Sequence, residues 1–155
     1  MFDEIAGLPM HALVIHAVVA FVPLVVLIAL GYAIVPRWRW LLRWPLLVGS
    51  AFCLVTGFVA KLSGEALFER LGEPEFVAEH ADRGTLLVWV LLAFFVVSLL
   101  AALFLSGPNP IRSHQRSNGP ALLRLAVTVL LIAAALSAGV QVVLTGDAGA
   151  RAVWG

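Results

Sequence analysis

Charge is scarce in this chain, and so are the residues that build covalent cross-links. Only 12% of its 155 residues are Asp, Glu, Lys or Arg, about half the share found in a soluble domain. Cys53 is the single cysteine and sits in an apolar stretch, so neither a disulfide framework nor a cysteine-based metal site can form within one chain. Ten Lys/Arg stand against nine Asp/Glu, which excludes a basic surface for nucleic acid. The serine elbow, the phosphate-binding glycine loop and the HExxH zinc motif are all missing. Glu79-His80 lacks the second histidine of that motif, and no catalytic site is evident.

What fills the chain is apolar: 62% of residues are hydrophobic and the mean hydropathy is +1.03. Four runs hold most of this, and about 20 apolar residues cross a hydrocarbon core as a helix. The spacing predicts one all-α domain over 1–155, an integral membrane four-helix bundle with spans at about 12–35, 41–62, 85–106 and 124–145. The first run follows an acidic start, Phe2-Asp3-Glu4, and exceeds the length of a secretory signal, so it reads as a retained helix.

Arginines set the expected orientation. Arg37, Arg39 and Arg43 follow the first span, and Arg112, Arg116 and Arg124 lie between the third and fourth, with no acid in either loop. The positive-inside rule puts these loops in the cytoplasm and both termini outside the cell membrane. Trp38, Trp40 and Trp44 form the expected inner aromatic belt, and Trp154 an outer anchor. His114 belongs to the basic connector bounded by Gly107-Pro108-Asn109-Pro110 and Ser117-Asn118-Gly119-Pro120. The outer loop, 61–84, is expected to be partly helical. A short interfacial helix is read from Ala66, Leu67, Phe68 and Leu71, and a second begins at Pro74 and continues into span three, helped by Glu79 and Arg83 at i,i+4. Gly146 is a natural stop for the fourth helix, and no internal repeat is discernible.

In spans this apolar, polar groups demand a reason. His11, His16, His80, Glu65 and Asp147 all fall near the outer ends of the helices, and bundles build cofactor and metal sites from such convergence. His11 and His16, five residues apart, cannot face one point from a regular helix. His16, deeper in its span, is the expected core ligand and His11 the rim residue. Gly84, one turn after His80, would let a flat ligand lie against the backbone.

Four blocks carry a family resemblance. Gly7-Leu8-Pro9-Met10-His11 through His16, Ser63-Gly64-Glu65, Glu79-His80 through Gly84, and Gly146-Asp147-Ala148-Gly149 through Trp154 resemble, in order, the blocks of a bacterial membrane family of unknown function, domain of unknown function 2231. The chain is most similar to its actinobacterial members. The resemblance implies a four-helix integral membrane protein, and its histidine pattern looks like that of small b-type cytochromes. Ala12 replaces the family's proline after the first histidine. Asp147 replaces a histidine; a carboxylate is a poor haem ligand but an acceptable one for zinc or another divalent metal.

Three readings remain open. Put first is an accessory or scaffold subunit of a membrane complex, in contact with other subunits or with itself through small-residue stretches such as Ala133-Ala134-Ala135 and Ser137-Ala138-Gly139. The second is a haem b electron-transfer protein with His16 and His80 as axial ligands and His11 near a propionate. The third is a divalent-metal site of His16, His80, Glu65 and Asp147.

Overall fold

The computed structural model describes residues 4–5, 8–72, 74–105, 107 and 120–155. Two short strands, β1 (Glu4–Ile5) and β2 (Leu8–Pro9), pair antiparallel ahead of the first helix. Four helices follow: α1 (Met10–Ile34), α2 (Arg39–Arg70), α3 (Glu75–Phe104) and α4 (Ala121–Trp154). A 3-10 turn at Pro36–Trp38 joins the first two. All four helices are long and apolar enough to cross a membrane. At 1.5 Å per residue the longest spans roughly 50 Å against a hydrocarbon core of about 30 Å. Leu27, Val55, Trp89 and Val143 are each at least 60% exposed. Such side chains would be a liability in water and are at no disadvantage against lipid tails.

Neighbours in sequence are neighbours in space: α1 packs on α2, α2 on α3, α3 on α4, and α4 closes back on α1. The helices α1 and α3 are therefore diagonal partners. Each buries a stripe whose positions advance by alternating steps of four and three residues, the seam of a left-handed bundle. In α1 the stripe is Val18, Val22, Val25, Ala29 and Tyr32; in α3 it is Leu87, Leu91, Phe94, Ser98 and Ala101. Pairing these in order gives one constant offset along the chain. The same holds between α2 and α4, where Leu46, Ser50, Cys53 and Gly57 match Leu131, Ala135, Ala138 and Val142. The two hairpins thus share one packing register, although no repeat is discernible in the sequence, where lipid-facing positions accept any apolar side chain and keep no pattern.

Two helix ends differ from expectation. No separate interfacial helix forms at 66–71, because α2 continues without a break to Arg70. Just beyond its end the Gly72 N–H bonds Glu69 O at 3.1 Å, and the positive φ of Gly72, 78°, turns the chain away from the helix. Gly146 does not stop α4, which runs on to Trp154 with Asp147 and Arg151 bridged at i,i+4. As expected, α3 starts after Pro74 and runs unbroken into its apolar span, and Glu79 bonds Arg83 at 2.9 Å.

At the arginine-rich end, side chains satisfy the carbonyls that helix termini leave without partners. Arg39 donates from Nε to Tyr32 O and from Nη2 to Ala33 O, both at 3.0 Å, closing α1. Tyr32 donates its hydroxyl to Leu105 O at 2.7 Å and approaches Ala101 O at 3.3 Å, closing α3. The basic connector with Arg112, His114 and Arg116 lies outside the described residues.

Candidate functional site

The buried stripes decide which histidines face inward. His11 stands one heptad before Val18, and His80 one heptad before Leu87, so each continues its helix's core-facing row toward the opposite end of the bundle. That end lies about 30 Å along α1 from Tyr32. His16 falls between core positions and is exposed, its Nδ1 bonded to its own helix at Ala12 O. The two histidines of α1 therefore exchange the roles expected of them: His11 is inside and His16 outside. Depth along the helix suggested the opposite, but the rotation of the packed face governs.

Each inward histidine is held by the helix that follows it in the chain. His11 donates from Nδ1 to Ala60 O on α2 at 3.0 Å. Ser63 Oγ donates to the same carbonyl at 3.1 Å and lies 3.4 Å from that nitrogen. His80 donates from Nδ1 to Thr145 O on α4 at 3.0 Å. A carbonyl can only accept, so each bond requires the proton on Nδ1, and in the neutral form of the ring Nε2 then keeps its lone pair. Among the described residues no hydrogen-bond partner reaches either Nε2.

Four residues beyond each acceptor stands a glycine that makes room for the ring. A Cβ on Gly64 would lie 2.9 Å from His11 Cε1, and one on Gly149 would lie 2.9 Å from His80 Nδ1. The arrangement is the same in both halves: histidine, carbonyl on the next helix, glycine one turn later. The rings meet across the bundle with centroids 6.0 Å apart and planes at 80°. Behind His80, Gln141 Nε2 and Thr145 Oγ1 both bond Arg83 O, at 3.1 and 3.3 Å, and tie α4 to α3. Gln141, Thr145 and Ser63 are all buried.

The remaining candidates lie outside this pair. Glu65 is engaged by Lys61 one turn back and is half exposed. Asp147 bonds Arg151 at 2.7 Å, and Arg151 approaches Glu79 at 3.6 Å, all on the surface. Gly84 has nothing within 4 Å of where a Cβ would be, so the glycines against the histidines are Gly64 and Gly149 instead. Among the described residues no group of three or more His, Cys, Asp or Glu is placed to hold a metal ion. The sequence reading also missed Ala60, Ser63, Gln141 and Thr145. Their shared signal was there to find: a glycine four residues after Ala60 and another four after Thr145, on the core row of each second helix.

The fold is that of a polytopic membrane bundle with a pair of facing histidines near one end. The chain belongs to the family described as Predicted membrane protein (DUF2231), whose model matches residues 7–155 and so takes in both histidines and both glycines. No curated protein and no solved structure matches it.

Proposed function

We propose that the protein is a small haem b-binding electron-transfer protein, with His11 and His80 as the axial pair. The observation that carries this is the separation of the two anchored rings. Two metal–nitrogen bonds of about 2 Å, each continued by about 1 Å to the centre of an imidazole, put ring centres about 6 Å apart. The rings stand at 6.0 Å. They come from diagonal helices, and each is oriented through Nδ1, the bond that fixes a metal-binding histidine and raises its basicity.

The ligand inventory favours haem over a bare divalent ion. Two histidines without an accompanying carboxylate suit a group that brings its own equatorial ligands, whereas a zinc-type site needs three or four protein donors. His16 is exposed and lies off the core-facing row, and Glu65 and Asp147 would each have to leave an ion pair to join. His11 and His80 would hold the haem through Nε2, and the haem would supply one-electron transfer. Of the small-residue stretches, Ala135 and Ala138 are buried inside the bundle and Gly139 faces Val26 on α1, while Ala133 and Ser137 remain exposed. By the positive-inside rule we place the histidine end outside the cell membrane, within reach of extracytoplasmic partners.

The test is the absorption spectrum of protein purified from haem-replete cells and again after addition of haemin. A Soret band that shifts on reduction is expected at one haem per chain. It should be lost in His11→Ala and His80→Ala and retained in His16→Ala and Asp147→Ala. A colourless protein in both preparations would overturn the proposal and restore the accessory-subunit reading. Loss of the band in His16→Ala with retention in His11→Ala would move the axial role back to His16.

A further inference from the structure

The opposite end of the bundle carries a second feature that electron transfer does not use. A small recess lies where the end of α1, the start of α2 and the end of α3 converge, lined by Tyr32, Arg39, Trp40, Arg43, Leu105 and Gly107. Its free space is about 20 Å³, room for one water-sized atom such as a single oxygen. Arg43 Nε, at its wall, is buried and has no hydrogen-bond partner. A buried donor on a charged group left unpaired is expensive, and here it faces a recess polar enough to receive an acceptor.

Among the described residues no acceptor of opposite charge is available at this end. Every described acid with a placed side chain (Glu65, Glu69, Glu75, Glu79, Asp82 and Asp147) belongs to the histidine end, and the stretches 36–60 and 104–124 contain no Asp or Glu. The carbonyls nearby are already taken: Tyr32 O and Ala33 O by Arg39, Ala101 O and Leu105 O by Tyr32. Arg124 adds its positive field at Arg39. Gly107 closes the recess from the side, packed so tightly that a Cβ would lie 2.3 Å from Pro36 O.

We propose that this recess binds a phosphate group, one anionic oxygen accepting from Arg43 Nε and the remainder lying at the mouth between Arg39 and Arg43. Planar guanidinium groups suit phosphate because they offer several donors in a fixed fork. Trp38, Trp40 and Trp44, all exposed, mark this as the level of the headgroups. A phospholipid of net negative charge is therefore the ligand in place, with free phosphate as the other source of the same chemistry. The site is independent of the histidine pair, so either proposal can fail alone.

The test uses full-length protein, stripped of lipid in neutral detergent. It is titrated with phosphatidylglycerol, phosphatidylcholine or inorganic phosphate, and bound molecules are counted by native mass spectrometry. One saturable phosphatidylglycerol is expected, held more tightly than phosphatidylcholine. Arg43→Lys keeps the charge but removes the Nε–H, and should weaken binding about tenfold or more. Arg37→Gln, on the exposed turn, should bind like wild type. Displacement of the lipid by millimolar inorganic phosphate would identify the phosphate alone as the recognised group; resistance to it would identify the whole lipid. Equal affinity for phosphatidylcholine, wild-type binding by Arg43→Lys, an equal loss in Arg37→Gln, or no saturable binding of lipid or phosphate would each overturn the proposal. The wild-type comparison of the two lipids needs no variant and decides the matter if Arg43→Lys fails to fold.

Discussion

Gly149→Ala is the sharpest probe of how the histidine end is built. The added methyl would lie 2.9 Å from His80 Nδ1 and 3.0 Å from Cε1, where ordinary contact begins at 3.4 Å. To clear it the ring must retreat by roughly 0.5–1 Å, which breaks a hydrogen bond that is already at ordinary length. The bond at risk is the one from Nδ1 to Thr145 O, now 3.0 Å. Leaving a part-buried donor and its carbonyl unsatisfied costs about 1–3 kcal/mol. Against this, alanine in place of glycine inside a helix gains about 1 kcal/mol. The expected net is a destabilisation of up to about 2 kcal/mol. Gly84→Ala is the control: nothing lies within 4 Å of the new methyl, so only the helical gain of up to about 1 kcal/mol remains. Unfolding in detergent, followed by circular dichroism, separates the two variants by sign. In a His80→Ala background the clash disappears, and Gly149→Ala should become neutral or stabilising. If Gly149→Ala is as stable as Gly84→Ala with His80 present, the ring does not rest on that glycine and the account of the site is wrong.

Two further outcomes are expected. Ser98 is fully buried and its hydroxyl has no partner, while the equivalent position on α1 is Ala29; Ser98→Ala should raise stability by about 1 kcal/mol in the same unfolding assay, because a desolvated hydroxyl is removed. Topology reporters fused after Gly72 should behave as external and those after Gly107 as cytoplasmic, and the reverse pattern would put the histidine pair on the cytoplasmic side.

Four helices were legible in the sequence because lipid imposes a length and a polarity on anything that crosses it. Their continuation beyond the bilayer was not. Leu67 and Phe68 read as an interfacial helix, and Gly146 as a stop, because local propensity sees neither the packing nor the i,i+4 bridges that carry α2 and α4 onward. The same limitation hid the inward histidine. Both His11 and His16 were visible, and their five-residue spacing forced a choice between them. The side of α1 that packs, however, is set by contact with α2 and α4, and an apolar helix exposed to lipid does not advertise that side through its own pattern. Gly64 and Gly149 were in view as members of family blocks, yet their use became clear only once the rings of His11 and His80 lay across them.

The way each ring is anchored has a consequence for assembly. His11 is aimed by α2 and His80 by α4, each within its own hairpin. Both imidazoles are thus oriented by contacts within one hairpin, and their mutual distance depends on packing through the α2–α3 and α1–α4 faces. Orientation and separation are then under separate structural control. A substitution at Gly64 or Gly149 displaces a ring, whereas one in the packed core, such as at Phe94 or Leu131, changes the gap while leaving both ring anchors in place. The bundle works as a caliper: each jaw is shaped within a hairpin, and the gap is set between hairpins.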